Sequence, residues 1–124
     1  MLTFNLKKQW FDKIKSCEKT HEYREVKFFW TTRFVKEFFG ITKNKNPYAY
    51  KCYMLGMNNY LRGEKATYNN PLIKFICGYA RNQDNTKILK AKMKSVTIIN
   101  GKHTDLAIDK DVYDIEFELI RSEE

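Results

Sequence analysis

Between Trp10 and Arg33 the chain switches its hydrophobic period twice, from helical to strand and back, which sets a helix–strand–helix order. The stretch reads WFDKIKSCEKTHEYREVKFFWTTR. Trp10, Phe11 and Ile14 fall at i, i+1 and i+4, one stripe of a short helix from Lys7 to Ser16. Cys17-Glu18 then turns the chain into a strand from Thr20 to Glu25. Strand alternation puts Thr20, Glu22 and Arg24 on one face and His21 and Tyr23 on the other. A carboxylate and a guanidinium two residues apart are either an exposed ion pair or the polar lining of a pocket. The second helix is expected from about Lys27 to Phe39, with Trp30, Phe34, Val35 and Phe38 at helical spacing and Gly40 as C-cap.

The rest of the chain reads as one helix and four strands, the first of them the alternating Thr3 to Leu6. Asn46-Pro47 is an N-cap followed by proline at the first helical position, opening a helix that Gly63 ends. Gly56 in its interior costs ~1 kcal/mol relative to alanine, and Tyr50 to Leu55 also alternates, so a strand is the competing reading. Leu72 to Tyr79 reads as a buried strand and Arg81 to Asn85 as a polar hairpin loop. Lys87 to Ile99 sets a lysine row, Lys90, Lys92 and Lys94, against Leu89, Ala91 and Met93, then changes phase to Val96, Ile98 and Ile99. Asn100-Gly101 makes a turn, Thr104 caps a single helical turn through Ile108, and Val112 to Arg121 is the last strand. Five or so strands in so short a chain are expected to curl into a small barrel.

At 124 residues the chain has room for one core, so residues 1–124 are read as a single domain. The charge of +8 is uneven: residues 1–101 hold 20 Lys/Arg against 7 Asp/Glu, whereas residues 102–124 hold 3 against 8. A basic body steers polyanions toward one side, although a Lys/Asn-rich composition also follows from an AT-rich genome. Cys17, Cys52 and Cys77 show no paired spacing and read as reduced thiols, which points to the cytoplasm and to no metal site. No apolar run approaches the ~20 residues of a membrane span, and no signal peptide or membrane association is expected. There is no P-loop, dinucleotide fingerprint, G-x-S-x-G or H-E-x-x-H, so no cofactor is expected.

The N-terminal residues F-x-L-x(3)-W-F-D-x-I-x-S-x-E-K-T-x-E-Y-R-E resemble the start of an ASCH (activating signal cointegrator homology) domain, a branch of the PUA-like proteins. That family's signature, W-F-x-x-I-x-x-G-x-K-x-x-E-x-R, is filled by Trp10, Phe11, Ile14, Lys19, Glu22 and Arg24, with Cys17 where glycine is usual. Lys27, Trp30 and Arg33 form a K-x-x-W-x-x-R similar to a phage and bacterial subgroup, and Phe75 to Tyr79 resembles its F-x-x-G-Y strand. The resemblance implies an α+β fold: a small antiparallel or mixed PUA-like β-barrel of about five to six strands with two or three flanking helices. Against that pattern, residues 41–70 are expected to be an insertion.

The resemblance further implies a cleft beside the barrel that binds RNA or a modified nucleobase or nucleotide. Its expected ligand-binding residues are Lys19, Thr20, Glu22, Arg24, Lys27, Trp30, Arg33 and Tyr79. One group of the family, the N4-acetylcytidine amidohydrolases, uses the signature lysine, a threonine and a later glutamate. Here Glu22 stands at the threonine position, and Asp105, Asp109 and Asp111 lie where the later acid would be sought. A lysine nucleophile or base must lose its proton, and an adjacent carboxylate favours the charged ammonium. Glu22 therefore favours Lys19 as a hydrogen-bond donor. If the cleft were instead hydrolytic, as an amidohydrolase or ribonuclease, Lys19 and Glu22 would be its catalytic pair. A third reading is an accessory protein acting through an exposed aromatic patch at Tyr50 to Leu61.

Overall fold

The computed structural model describes residues 1–78 and 85–121. The chain runs β1 (Leu2–Leu6), α1 (Lys8–Lys15), β2 (His21–Glu25), α2 (Phe28–Phe39), α3 (Pro47–Leu61), β3 (Leu72–Cys77), β4 (Ile88–Asn100) and β5 (Asp111–Leu119). Short 3-10 turns at Asn85–Lys87 and Gly101–His103 precede and follow β4. The helix reading of the stretch after Pro47 holds: Asn46 accepts the Ala49 N–H at 3.0 Å as an N-cap. The helical turn expected from Thr104 through Ile108 is shortened to one hydrogen-bonded turn, in which the Ala107 N–H bonds the Thr104 carbonyl and the Thr104 hydroxyl accepts the Leu106 N–H. Thr104 also closes the preceding 3-10 turn, donating its N–H and hydroxyl to the Gly101 carbonyl. Tyr79 and most of the expected Arg81–Asn85 hairpin loop lie outside the described residues.

The five strands form one mixed sheet in the order β1-β3-β4-β5-β2. β1 pairs with β3 in parallel, and every other pairing is antiparallel. The sheet curls into a half-barrel flanked by three helices, an α+β architecture as expected, and the first two strands of the chain form its two edges. The phase change seen in the sequence of β4 is a bulge between Met93 and Ser95. It transfers the inward face from Ala91 and Met93 to Val96 and Ile98, all buried.

The core fills the inner face of this sheet. Phe4, Ile73, Phe75, Met93, Val96, Tyr113 and Ile115 meet Phe11 and Ile14 of α1, Phe34 and Val35 of α2, and Met57 and Leu61 of α3. Rings run through it in sequence: Trp30 stacks on Phe4 at 4.9 Å, Phe4 on Phe75 at 5.7 Å, and Phe75 meets Phe117 at 4.7 Å. One polar knot ties the layers together. The fully buried Tyr113 hydroxyl donates to Asn58 Oδ1 on α3 and shares a 2.7 Å bond with the Thr31 hydroxyl on α2. No helix among the described residues is long and apolar enough to cross a membrane.

Candidate functional site

β2 pairs with β5 so that Glu22 faces Ile115 and Arg24 faces Tyr113 across the register. Both partners point into the core, so the alternation of β2 aims a glutamate and an arginine inward as well. Glu22 is buried, whereas Arg24 stays partly exposed because β2 is an edge strand. The other edge, β1, lies across an unpaired seam, and Arg24 bridges it by donating from Nη2 to the Asn5 carbonyl at 3.0 Å. The same Nη2 donates to Glu22 Oε2 at 3.0 Å. The guanidinium lies over the rings of Phe4 and Trp30, at 5.3 and 5.1 Å from their centroids. Glu22 is 5% exposed, and its Oε1 also accepts the N–H of Tyr23 at 3.0 Å, capping a donor on the edge strand.

Lys19 reaches the same carboxylate through the turn that ends α1. Cys17 adopts a left-handed conformation, φ +66°, donating its N–H to the Ile14 carbonyl, and the Lys19 N–H returns to the Lys13 carbonyl. Glycine is the residue favoured at such a position, so the cysteine there is strained. The turn brings Lys19 Nζ to 3.5 Å from Glu22 Oε1 and into an ion pair with Asp105, with the lysine side chain only 9% exposed. Its ammonium also lies 5.3 Å from the Trp10 ring and 5.2 Å from the Tyr23 ring. Asp105 arrives on the loop between β4 and β5. Gly101 anchors that loop, giving its N–H to the Lys110 carbonyl and accepting from Thr104 and Ile108.

These groups line a cleft of about 450 Å³ bounded by Asn5, Leu6, Trp10, Lys19, Glu22, Tyr23, Arg24 and Asp105, among others. A smaller hollow of about 270 Å³ shares Trp10, Lys19, Tyr23 and Asp105 with it and adds Thr20 and His21. The paired charges balance, with Lys19 and Arg24 against Glu22 and Asp105, and the exposed Lys7 adds one further cation to the lining. Burial, helped by Asp114, Asp105 and Glu22, holds the Tyr23 phenol above the ordinary tyrosine value, so it remains a neutral donor.

Of the residues singled out from sequence, the structure brings Lys19, Glu22 and Arg24 together. Thr20 lines the smaller hollow while its carbonyl accepts the Phe117 N–H. Trp30 forms the floor under Arg24 and does not line the cleft. Lys27 is exposed and pairs with Glu25 at 3.0 Å, away from the cleft. Arg33 lies over Phe29 on α2 and borders a different cavity with Lys36 and Glu37. Both lie outside the cleft because other partners hold them: Lys27, the N-cap residue of α2, is drawn to Glu25, and Arg33 to the Phe29 ring and carbonyl. Tyr79 lies outside the described residues. His21 falls on the face opposite Glu22, as expected, with Nδ1 2.6 Å from Asp114 and Nε2 3.5 Å from Glu116.

Three contributions were not singled out by sequence: Asn5, whose carbonyl carries no side-chain signal, Trp10 as a wall, and Asp105 from among three loop aspartates. Among the described residues, no group of three or more His, Cys, Asp or Glu side chains is arranged to hold a metal ion. Comparison with known proteins finds no matching family model, no matching curated protein and no matching solved structure. The likeness to ASCH proteins therefore rests on the residues of the chain itself.

Proposed function

We propose that the chain is an ASCH-type, PUA-like domain whose cleft binds RNA or a modified nucleobase or nucleotide. The carrying observation is the charge-balanced cluster of Lys19, Glu22, Arg24 and Asp105 at an open sheet seam, walled by Trp10 and Tyr23. A phosphate site would centre on unpaired cations, but here Lys19 and Arg24 each already face a carboxylate, and among the described residues only Lys7 on the lining does not. Donors and acceptors side by side next to aromatic rings suit an uncharged planar base, which uses both kinds of hydrogen bond and stacks. The basic exterior then supplies the attraction for a phosphate backbone. The test is a titration of single-stranded RNA, with and without N4-acetylcytidine, against wild type and Arg24→Gln. Wild type should bind with a log–log salt slope of about −0.7 per phosphate, and Arg24→Gln should bind about tenfold more weakly at unchanged slope. Failure to bind RNA or nucleoside at low salt would refute this reading.

One observation favours a second reading, a hydrolase acting on a nucleic-acid-related substrate. Asp105 comes onto Lys19, the pairing of lysine and later acid that the amidohydrolase resemblance implies. Against it stands Glu22, which surrounds Lys19 with a second carboxylate. Wild type should release little or no cytidine from N4-acetylcytidine, with Glu22→Thr and Lys19→Ala assayed beside it. Robust Lys19-dependent turnover by the wild type would establish the enzyme reading in place of the binding one.

A further inference from the structure

A groove of about 720 Å³ lies away from the seam, between α3, the end of α2 and the segment after α3 whose Ala66 bridges to β4. Phe39, Tyr53, Met57, Tyr60 and Tyr68 supply its large side chains. Tyr53, Gly56, Met57 and Tyr60 stand at i, i+3, i+4 and i+7, one face of α3. Tyr53 leans on Phe39, and Tyr68 closes the far wall, stacked on Phe38 at 4.2 Å.

Two features mark the groove as more than spare surface. The first is Gly56. Glycine inside a helix is unfavourable, yet a Cβ at this position would meet nothing within 4 Å. No packing within the fold requires the glycine, and its effect is to leave the groove floor bare between two tyrosines. Tyr53 and Tyr60 are separated by about 10 Å along the helix axis, two turns, which leaves room for one flat ring between them. The second feature is charge. No acidic residue lines the groove, and Lys65 at its rim makes no ion pair or hydrogen bond among the described residues.

We infer that this groove holds an unpaired nucleotide of single-stranded RNA, its base over Gly56 between Tyr53 and Tyr60 and its phosphate facing Lys65. A flat ring, a bare floor and a free cation match a base with its phosphate, and stacking on tyrosine tolerates any base. The groove is open along one side, so it covers only part of a small molecule. A strand also held elsewhere needs no enclosure, because each contact raises the effective concentration of the next. The inference rests on the nucleic-acid reading of the cleft and adds a second contact to it, on different residues.

The experiment is a fluorescence-anisotropy titration of labelled oligoadenylate against the full chain and three variants. Gly56→Leu builds its side chain over the floor from a Cβ that meets nothing within 4 Å and replaces a poor helix former. It should therefore fold with undiminished thermal stability and bind tenfold or more weakly, the loss expected of one stacked base. Lys65→Gln should lower the salt slope by about 0.7, one phosphate. Arg24→Gln reports on the cleft separately. If Gly56→Leu weakens binding and Arg24→Gln does not, the groove stands and the cleft reading falls; the reverse pattern overturns the groove. Wild-type affinity in both Gly56→Leu and Lys65→Gln would also overturn it. So would a wild-type dimer in sedimentation that Gly56→Leu dissociates, since the groove would then be a subunit face. If wild type binds no oligoadenylate, the groove inference fails, and a Trp10 fluorescence titration with nucleoside still tests the cleft.

Discussion

Replacing Glu22 by glutamine keeps the shape of the side chain and removes the charge at the centre of the cluster. In the folded protein this carboxylate accepts from Arg24 at 3.0 Å and from the Tyr23 N–H at 3.0 Å, and faces Lys19 at 3.5 Å, while 5% exposed. Breaking a buried ion pair costs about 3–5 kcal/mol when the surviving charge is left uncompensated. Here the compensation is partial: Lys19 keeps Asp105, and Arg24 keeps the Asn5 carbonyl and two ring faces. Glutamine also keeps one acceptor, but its NH₂ must then meet another donor. These offsets bring the expected cost to about 2 kcal/mol. For a chain of this size that lowers Tm by about 8 °C. Urea unfolding followed by circular dichroism should show a lower midpoint at unchanged slope. A double-mutant cycle with Arg24→Gln should return at least about 1 kcal/mol of coupling. A cost below about 0.5 kcal/mol with no coupling would mean that solvent screens the cluster as it does a surface pair, and the seam would lose its claim to be a pre-organised site.

Further outcomes follow from single positions. Tyr113→Phe strands Asn58 Oδ1 and should cost about 1–2 kcal/mol. Burial, partly offset by hydrogen bonds to Thr31 and Asn58, holds the Tyr113 phenol above its ordinary value, so the stability it contributes is complete below about pH 10 and lost as pH rises through the folded value. The variant should therefore show a shallower alkaline loss of Tm than wild type. Gly101→Ala places a Cβ 2.6 Å from Val112 Cγ1 and 3.0 Å from the Ile108 carbonyl oxygen. It should cost about 1–3 kcal/mol by denaturant melt and loosen the loop that presents Asp105. Cys17→Gly relieves the left-handed residue after α1 and should raise stability by about 1 kcal/mol, read as a higher urea midpoint.

Local pattern carried much of this fold. The stripe of Trp10, Phe11 and Ile14, the Asn46-Pro47 start of α3, the Gly40 stop of α2 and the phase change at Ser95 are each written in a few neighbouring residues. Helix period, caps and strand alternation act over one or two turns of chain, so they can be read without knowing the rest. Alternation alone also placed Glu22 and Arg24 on one face and His21 on the other. Which strands become neighbours is a different kind of information. Nothing in Leu2–Leu6 says that it pairs in parallel with Leu72–Cys77, or that it ends at the edge opposite β2. That choice depends on which apolar faces can be buried together by the whole chain. The cleft inherits the same dependence. Asn5 meets Arg24 through a backbone carbonyl that has no sequence signature, and Asp105 meets Lys19 from 86 residues away. Asp109 and Asp111, equally plausible in sequence, turn to Asn100 and Arg62 instead. Local pattern set which charges are available near β2. The curl of the sheet decided that they face each other across an open seam, because only tertiary packing brings two edge strands within reach of one arginine side chain.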